Sequence, residues 1–231
     1  MFKDRKQAGK RLAAALLKYK AENPLVLGIP RGGVPVAYEV AIALDAPLDI
    51  VVVRKLGAPG QPELGIGAVV DGDHPQGVLN EEVMAALAVS QDYLDREVAK
   101  QMKEIRRRQE AYRGGRAPEK VEDRTVIIVD DGIATGGSMR AALRGVRRWK
   151  PKRLVMAVPV APQETIDSLR PEVDDIVCLS TPEFFGAIGE FYEDFGQTSD
   201  EEVTGLLDAA RRRPAGGSAA TPAPAATGTP H

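Results

Sequence analysis

Residues 126–138 read VIIVDDGIATGGS. Four apolar residues, read as a buried strand, end in Asp130 and Asp131. A loop of Gly132, Ile133, Ala134, Thr135, Gly136, Gly137 and Ser138 then opens a helical pattern. In open α/β sheets, ligands bind outside the carboxyl ends of the strands. Glycines let backbone N–H groups approach an anion, and a helix start adds the positive end of its dipole. Thr135 and Ser138 add hydroxyl donors, which makes residues 133–138 a phosphate cradle. The two carboxylates would repel a phosphate, but they suit vicinal hydroxyls or a divalent cation. A ribose 5-phosphate has this combination of groups.

Other phosphate motifs fit less well. Gly132 and Gly137 have P-loop spacing, but Ser138 stands where a P-loop carries lysine. A dinucleotide fingerprint G-x-G-x-x-G is absent at this loop. A second anion site lies at Gly28-Ile29-Pro30-Arg31-Gly32-Gly33-Val34-Pro35, where Arg31, Gly32 and Gly33 stand between a strand and a helix start. Arg54-Lys55-Leu56-Gly57 enters a third segment, rich in Gly and Pro, that contains Glu63.

VIIVDDGIATGGS resembles the signature of the type I phosphoribosyltransferases, which bind 5-phosphoribosyl 1-diphosphate. The resemblance implies that Asp130 and Asp131 hold the ribose 2- and 3-hydroxyls and that Ile133–Ser138 hold the 5-phosphate. The segment around Arg31 resembles the family's pyrophosphate loop, which often carries a cis peptide. Arg54 and Lys55 resemble the start of the flexible loop that closes over the diphosphate. The implied reaction transfers the phosphoribosyl group to a nitrogenous base and releases diphosphate. The resemblance implies Mg²⁺ held mainly by the substrate's own oxygens, with Asp130 and Asp131 as its direct or water-bridged ligands. Arg31 and Lys55 offset charge on the leaving group. The hypoxanthine-guanine branch has a basic aspartate where this chain has Ala134, so the loop is closer to the adenine branch. A general base must then come from elsewhere, and Glu63 is the candidate.

The elements that position these residues follow from the pattern. Strands are expected at Leu25–Ile29, Ile50–Val53, Thr125–Val129, Leu154–Val158 and Ile176–Leu179. Helices are expected over 7–20, Val34–Leu44, Ser138–Trp149 and Gln163–Leu169. Residues 54–80 read as a loop or loose hairpin, with a strand at Ile66–Val70. Residues 81–113 read as one long helical insertion, with Val83, Leu87, Leu94, Val98, Met102, Ile105 and Tyr112 on one side. The whole is an α/β fold, a mostly parallel sheet with helices on both faces. Residues 1–213 form the domain, 180–197 a C-terminal hood, and 214–231 a disordered tail rich in Ala, Pro and Gly. Phe184, Phe185, Phe191, Tyr192 and Phe195 in the hood serve either to stack on a flat ring or to pack the hood.

Composition narrows the classes. The chain has 231 residues, one cysteine, 31 Lys+Arg and 33 Asp+Glu, for a net charge of −2. No apolar run reaches a membrane span, and the N-terminus lacks the pattern of a secretory signal. One cysteine favours a reducing, cytoplasmic setting. Near-neutral charge disfavours nucleic acid, because Lys100, Lys103, Arg106, Arg107 and Arg108 alternate with Glu97, Glu104 and Glu110. The helix's apolar stripe packs on the core or on a second subunit, as in a homodimer. His74 and His231 have no metal-ligand spacing. Two alternatives to the transferase stand open: a non-catalytic sensor of phosphoribosyl diphosphate, and a hydrolase of a phosphorylated sugar.

Overall fold

The computed structural model describes residues 1–70 and 76–213, apart from the side chains of Glu63 and residues 76–78. The expected tail at 214–231 and His74 lie outside the described residues.

The chain begins with helix α1 (Arg5–Leu16), strand β1 (Leu25–Gly28), helix α2 (Gly33–Leu44) and strand β2 (Leu48–Ile50). Strands β3 (Val53–Ala58), β4 (Gln61–Val70) and β5 (Gln76–Leu79) follow, then helices α3 (Glu81–Ala86) and α4 (Gln91–Arg113). The second half comprises β6 (Thr125–Val129), α5 (Gly137–Arg148), β7 (Arg153–Val160), α6 (Gln163–Leu169), β8 (Asp175–Ser180) and α7 (Asp200–Arg211).

Five strands form a parallel sheet in the order β2-β1-β6-β7-β8. β1 and β6 are buried along their whole length, which is why they read as unbroken apolar runs. Alternate residues serve opposite faces. Val26, Ile127 and Val155 join the core under α1, α2, α4 and α7. Leu27, Ile128 and Met156 join the core under α5 and α6. From β1 the chain moves outward to β2; from β6 it moves the other way to β7 and β8. The order therefore reverses between β1 and β6, and that crevice is where such sheets bind ligands.

Several boundaries differ from the sequence reading. α1 stops at Leu16 and a 3-10 turn spans Leu17–Glu22, leaving Leu17 exposed. Asn23 then takes a left-handed conformation (φ 48°) before Pro24. The apolar run Ile50–Val53 is no single strand. Ile50 closes β2 and Val53 opens β3 in a different sheet, with Val51 and Val52 buried between them. Uniform burial hides that change of sheet.

Residues 54–80 are more regular than a loop. β3, β4 and β5 form a three-stranded antiparallel sheet, with Val53 opposite Val70 and Lys55 opposite Ala68. Pro59 and Gly60 turn the hairpin, and Gly60 has φ 71°, as a Pro-Gly turn requires. α5 packs so closely that a Cβ on Gly145 would lie 2.7 Å from Val70.

The helical insertion is two helices. Ala88 (φ 48°) breaks it, and Ser90 restarts it by accepting from Tyr93 N at 3.3 Å. Of its apolar stripe, Leu94, Met102, Ile105 and Tyr112 are buried, while Leu87 is exposed. Gly114 ends α4 in the left-handed region (φ 58°). α7 adds a helix beyond those expected from the pattern. Ser199 caps it by accepting from Glu202 N at 3.1 Å, and Val203 and Leu207 enter the core. Among the described residues, no helix is long and apolar enough to cross a membrane.

Candidate functional site

β1 and β6 are neighbours in register, Gly28 opposite Val129, so the loops leaving their carboxyl ends emerge side by side. Ile29 N donates to Val129 O at 3.0 Å and holds them together. A Cβ on Gly33 would lie 2.7 Å from Val129 O and 2.9 Å from Asp130 Cα. A Cβ on Gly32 would lie 2.1 Å from Asp131 Oδ2. Only glycine allows this contact between the arginine loop and the acid pair. The Pro30–Arg31 peptide is cis.

The 132–138 loop is anchored on its inner side and open on its outer side. Ile133 N donates to Val160 O at 3.0 Å, and its side chain is buried. Ile133 is thus an apolar anchor, and only its backbone is available to a ligand. Thr165 Oγ1 donates to Ala134 O at 2.8 Å. Gly136 has φ 80° and sits against Thr165 and Leu169. Ala134, Thr135, Gly137 and Ser138 are exposed at the start of α5, where the first-turn N–H groups have no intrahelical partner.

The acid pair is short of donors. Asp131 N donates to Asp130 Oδ1 at 2.9 Å. Burial, and then the neighbouring Asp131 charge, push the carboxyl of half-buried Asp130 well above the usual range. Burial also raises Asp131, despite a hydrogen bond from Arg5 Nε to its Oδ2 at 2.7 Å. Tyr192 OH donates to Asp131 O at 2.5 Å; its phenol is raised mainly by burial. Hydroxyl donors or a cation would relieve such a pair.

Arg31 is half-exposed, with Nη1 3.8 Å from Asp200 Oδ1. Arg54 stands on β3 and donates from Nε to Gln101 Oε1 at 3.0 Å, so it faces α4. Lys55 is exposed on the same strand, its stem against Gly65. The structure therefore brings together Arg31, Gly32, Gly33, Asp130, Asp131 and the 133–138 loop. Arg54 and Lys55 stand on the separate hairpin, which starts at the same sheet edge because Val51 N donates to Gly28 O at 3.1 Å. The Glu63 side chain lies outside the described residues.

The segment after β8 packs over this edge. Phe2 N donates to Phe191 O at 2.7 Å, and Ile188 covers Gly132. Phe185 and Phe191 stack at 5.1 Å, Tyr192 contacts Phe2 and Phe195, and Phe195 lies under Arg5. Packing thus claims four of the five aromatics, while Phe184 is 85% exposed. On α4, Arg107 and Arg108 both pair with Glu104, consistent with a solvated face. A cavity of about 1000 Å³ lies elsewhere, between Asp49, Arg113 and Trp149. A cavity of about 300 Å³ has Arg5, Pro35 and Thr198 in its wall. Among the described residues, no cluster of three or more His, Cys, Asp or Glu could hold a metal.

Arg5 escaped the sequence reading. It is an ordinary first-turn residue of α1, and its pairing spans 126 positions. No local pattern could have shown it.

A parallel sheet with an acid pair and two glycine-bearing loops at its switch point places the chain among the open-sheet α/β proteins, whose ligands lie at such crevices. The phosphoribosyl transferase domain model matches residues 2–195, and the chain belongs to that family. It is 44% identical over 212 residues to a Mycobacterium tuberculosis protein named "Putative phosphoribosyl transferase", covering 92% of this chain and 47% of that one. The chain thus spans about half the length of that relative. A uracil phosphoribosyltransferase of Legionella pneumophila is 37% identical over 95 residues, 41% of this chain and 40% of its own. The crystal structure of TT1426 from Thermus thermophilus is 46% identical with a TM-score of 0.78, covering 90% of this chain and 97% of its own.

Proposed function

We propose that the protein transfers the 5-phosphoribosyl group from phosphoribosyl diphosphate to a nitrogenous base, releasing diphosphate. The observation that carries this reading is the contact of Gly32 and Gly33 with Asp130 and Asp131 at adjacent strand ends. It sets an anion loop, a diol acceptor and a phosphate cradle around one crevice.

Each residue has a role in that reading. The backbone of 133–138 and the Thr135 and Ser138 hydroxyls bind the 5-phosphate. Asp130 and Asp131 accept from the ribose hydroxyls. Arg31, with the loop backbone at Arg31 and Gly32, holds the diphosphate, where negative charge grows as the C1–O bond breaks. Lys55 and Arg54 add positive charge from the hairpin. Exposed Phe184 supplies a flat surface for the base. Glu63 is the candidate to take the proton that the base loses.

Magnesium fits as a substrate-borne ion. Two carboxylates short of donors suit a cation held mainly by substrate oxygens, and they fall short of a complete protein cage. When bound, the ion would neutralise charge on the departing diphosphate.

The test is diphosphate release from phosphoribosyl diphosphate and Mg²⁺ with a panel of purine and pyrimidine bases. Base-dependent release supports the reading. Tight binding of phosphoribosyl diphosphate without turnover on any base would make the protein a sensor. Release that is independent of base would make it a hydrolase.

A further inference from the structure

Asp131 is already engaged by protein. Its Oδ2 accepts from Arg5 Nε at 2.7 Å, and the two side chains are only 14% (Arg5) and 10% (Asp131) exposed. Three further contacts fix the guanidinium. Arg5 Nη1 donates to Gly196 O at 2.6 Å. The Phe195 ring lies across its face, with the centroid 3.9 Å from Cζ. Gly32 closes the remaining side, since a Cβ there would approach Arg5 Nε to 3.3 Å. One arginine thus joins the first helix, the loop after β1, the acid pair and the segment after β8.

A guanidinium is planar and presents its N–H groups at fixed angles, so the bond it makes orients the carboxylate it meets. Tyr192 OH holds the carbonyl of the same aspartate. With its backbone and one oxygen fixed, Asp131 can turn its other oxygen in few directions. Burying a cation here is costly, and a nearby anion offsets that only in good geometry. An apolar residue would serve α1 as well if helix packing were the only need.

We propose that Arg5 is a positioning residue for phosphoribosyl binding. It commits Oδ2 of Asp131, so that the other oxygen meets a ribose hydroxyl. Through Phe195 and Gly196 it ties that acid to the segment proposed to face the base. The proposal deepens the function proposed above and rests on reading Asp131 as a ribose acid. It predicts a loss selective for ribose, because Arg5 bonds the acid itself, whereas its approach to the diphosphate loop is a packing contact at Gly32.

Calorimetry on the full chain tests it, with ribose 5-phosphate and, separately, inorganic diphosphate with Mg²⁺. Arg5→Met keeps much of the apolar stem and removes the charge. It should weaken ribose 5-phosphate at least tenfold and leave diphosphate within twofold. Arg5→Lys keeps the charge without the planar N–H geometry and should recover part of the affinity. If Arg5→Met does not fold, Arg5→Lys carries the comparison, with a ribose-selective loss of about threefold expected. Equal losses for both ligands, or no loss, overturn the proposal and leave Arg5 structural. A wild-type protein that binds diphosphate but no ribose 5-phosphate overturns the reading of Asp131 itself, and the proposal with it.

Discussion

Tyr112, on the last turn of α4, donates its phenol to Asp200 on the first turn of α7 at 2.6 Å. The same Asp200 oxygen lies 3.8 Å from Arg31 Nη1. Burial first, then the bond to Asp200, push the Tyr112 phenol up to about 12. A proton held more tightly in the folded state stabilises it below the unfolded pKa of about 10. That contribution fades as pH rises through 12. Alkaline unfolding of the wild type should therefore show a loss of stability across this window that Tyr112→Phe lacks. At neutral pH, Tyr112→Phe should cost about 1 kcal/mol, the net worth of an ordinary intramolecular hydrogen bond, because Asp200 is half-exposed. Melting would fall by roughly 2–4 °C.

The two site aspartates should differ in their effect on stability, though both are proposed to bind ligand. Asp130 has its carboxyl raised by burial and by its neighbour's charge, so its ionised form opposes folding at neutral pH. Asp130→Asn should be neutral or stabilising at pH 7. That gain should shrink as the pH falls and wild-type Asp130 takes up its proton. Burial raises Asp131 as well, but Asp131→Asn leaves Arg5 nearly buried without its anion, so it should be the more destabilising of the two. Both substitutions should weaken ribose 5-phosphate binding. Melting curves beside calorimetry separate the two effects, and a stabilised Asp131→Asn would contradict the ion pair.

Gly32→Ala probes the contact between the loops. The new methyl would sit 2.1 Å from Asp131 Oδ2, so the carboxylate or the arginine loop must move. Overpacking of this kind costs about 1–3 kcal/mol. Phosphoribosyl diphosphate affinity should fall more steeply than that stability loss suggests, because both halves of the crevice are displaced. Gly205→Ala, on α7 and outside the crevice, is the control, since nothing lies within 4 Å of its Cβ position.

Arg31→Ala should weaken diphosphate more than ribose 5-phosphate. A charge-assisted contact is worth about 1.5–3 kcal/mol, which is about 10- to 150-fold in affinity. Its pairing with Asp200 is long and half-exposed, so melting should hardly change. Equal losses for the two ligands would place Arg31 off the diphosphate.

The crevice was legible in the sequence because its chemistry is local. Strand, acid pair, glycine loop and helix start follow one another within residues 126–138, and the arginine loop repeats the arrangement after β1. Whatever depended on distant partners was hidden. Arg5 and Tyr112 acquire their roles only when α1 and α4 meet residues 126 and 88 positions away. The change of sheet between Ile50 and Val53 was masked by unbroken burial. α7 was different, since its signals were present: Ser199 and Glu202 have capping-box spacing, followed by Val203, Leu206 and Leu207. Proximity to the low-complexity tail obscured them.

The hairpin carries the last prediction. In sequence it resembles a flexible closing loop, yet Val53–Ala58 and Gln61–Val70 are paired strands. Tyr93 OH donates to Gly57 O at 2.9 Å and fastens the hairpin to α4. Amides in the paired part should therefore be protected from hydrogen exchange before any ligand is added, with fast exchange confined to the Pro59-Gly60 turn and the irregular pairing near Gly57. Any closure would then move the hairpin as a body, pivoting near buried Val51 and Val52, rather than fold a loop. Lys55 is exposed on that body and contributes little to the core. Lys55→Ala should leave melting within about 1 °C, as surface substitutions do, and lower turnover at least tenfold. Ligand-dependent protection across the whole of 53–70 would restore the flexible loop. Normal turnover in Lys55→Ala would leave Arg31 and its loop to stabilise the leaving group alone.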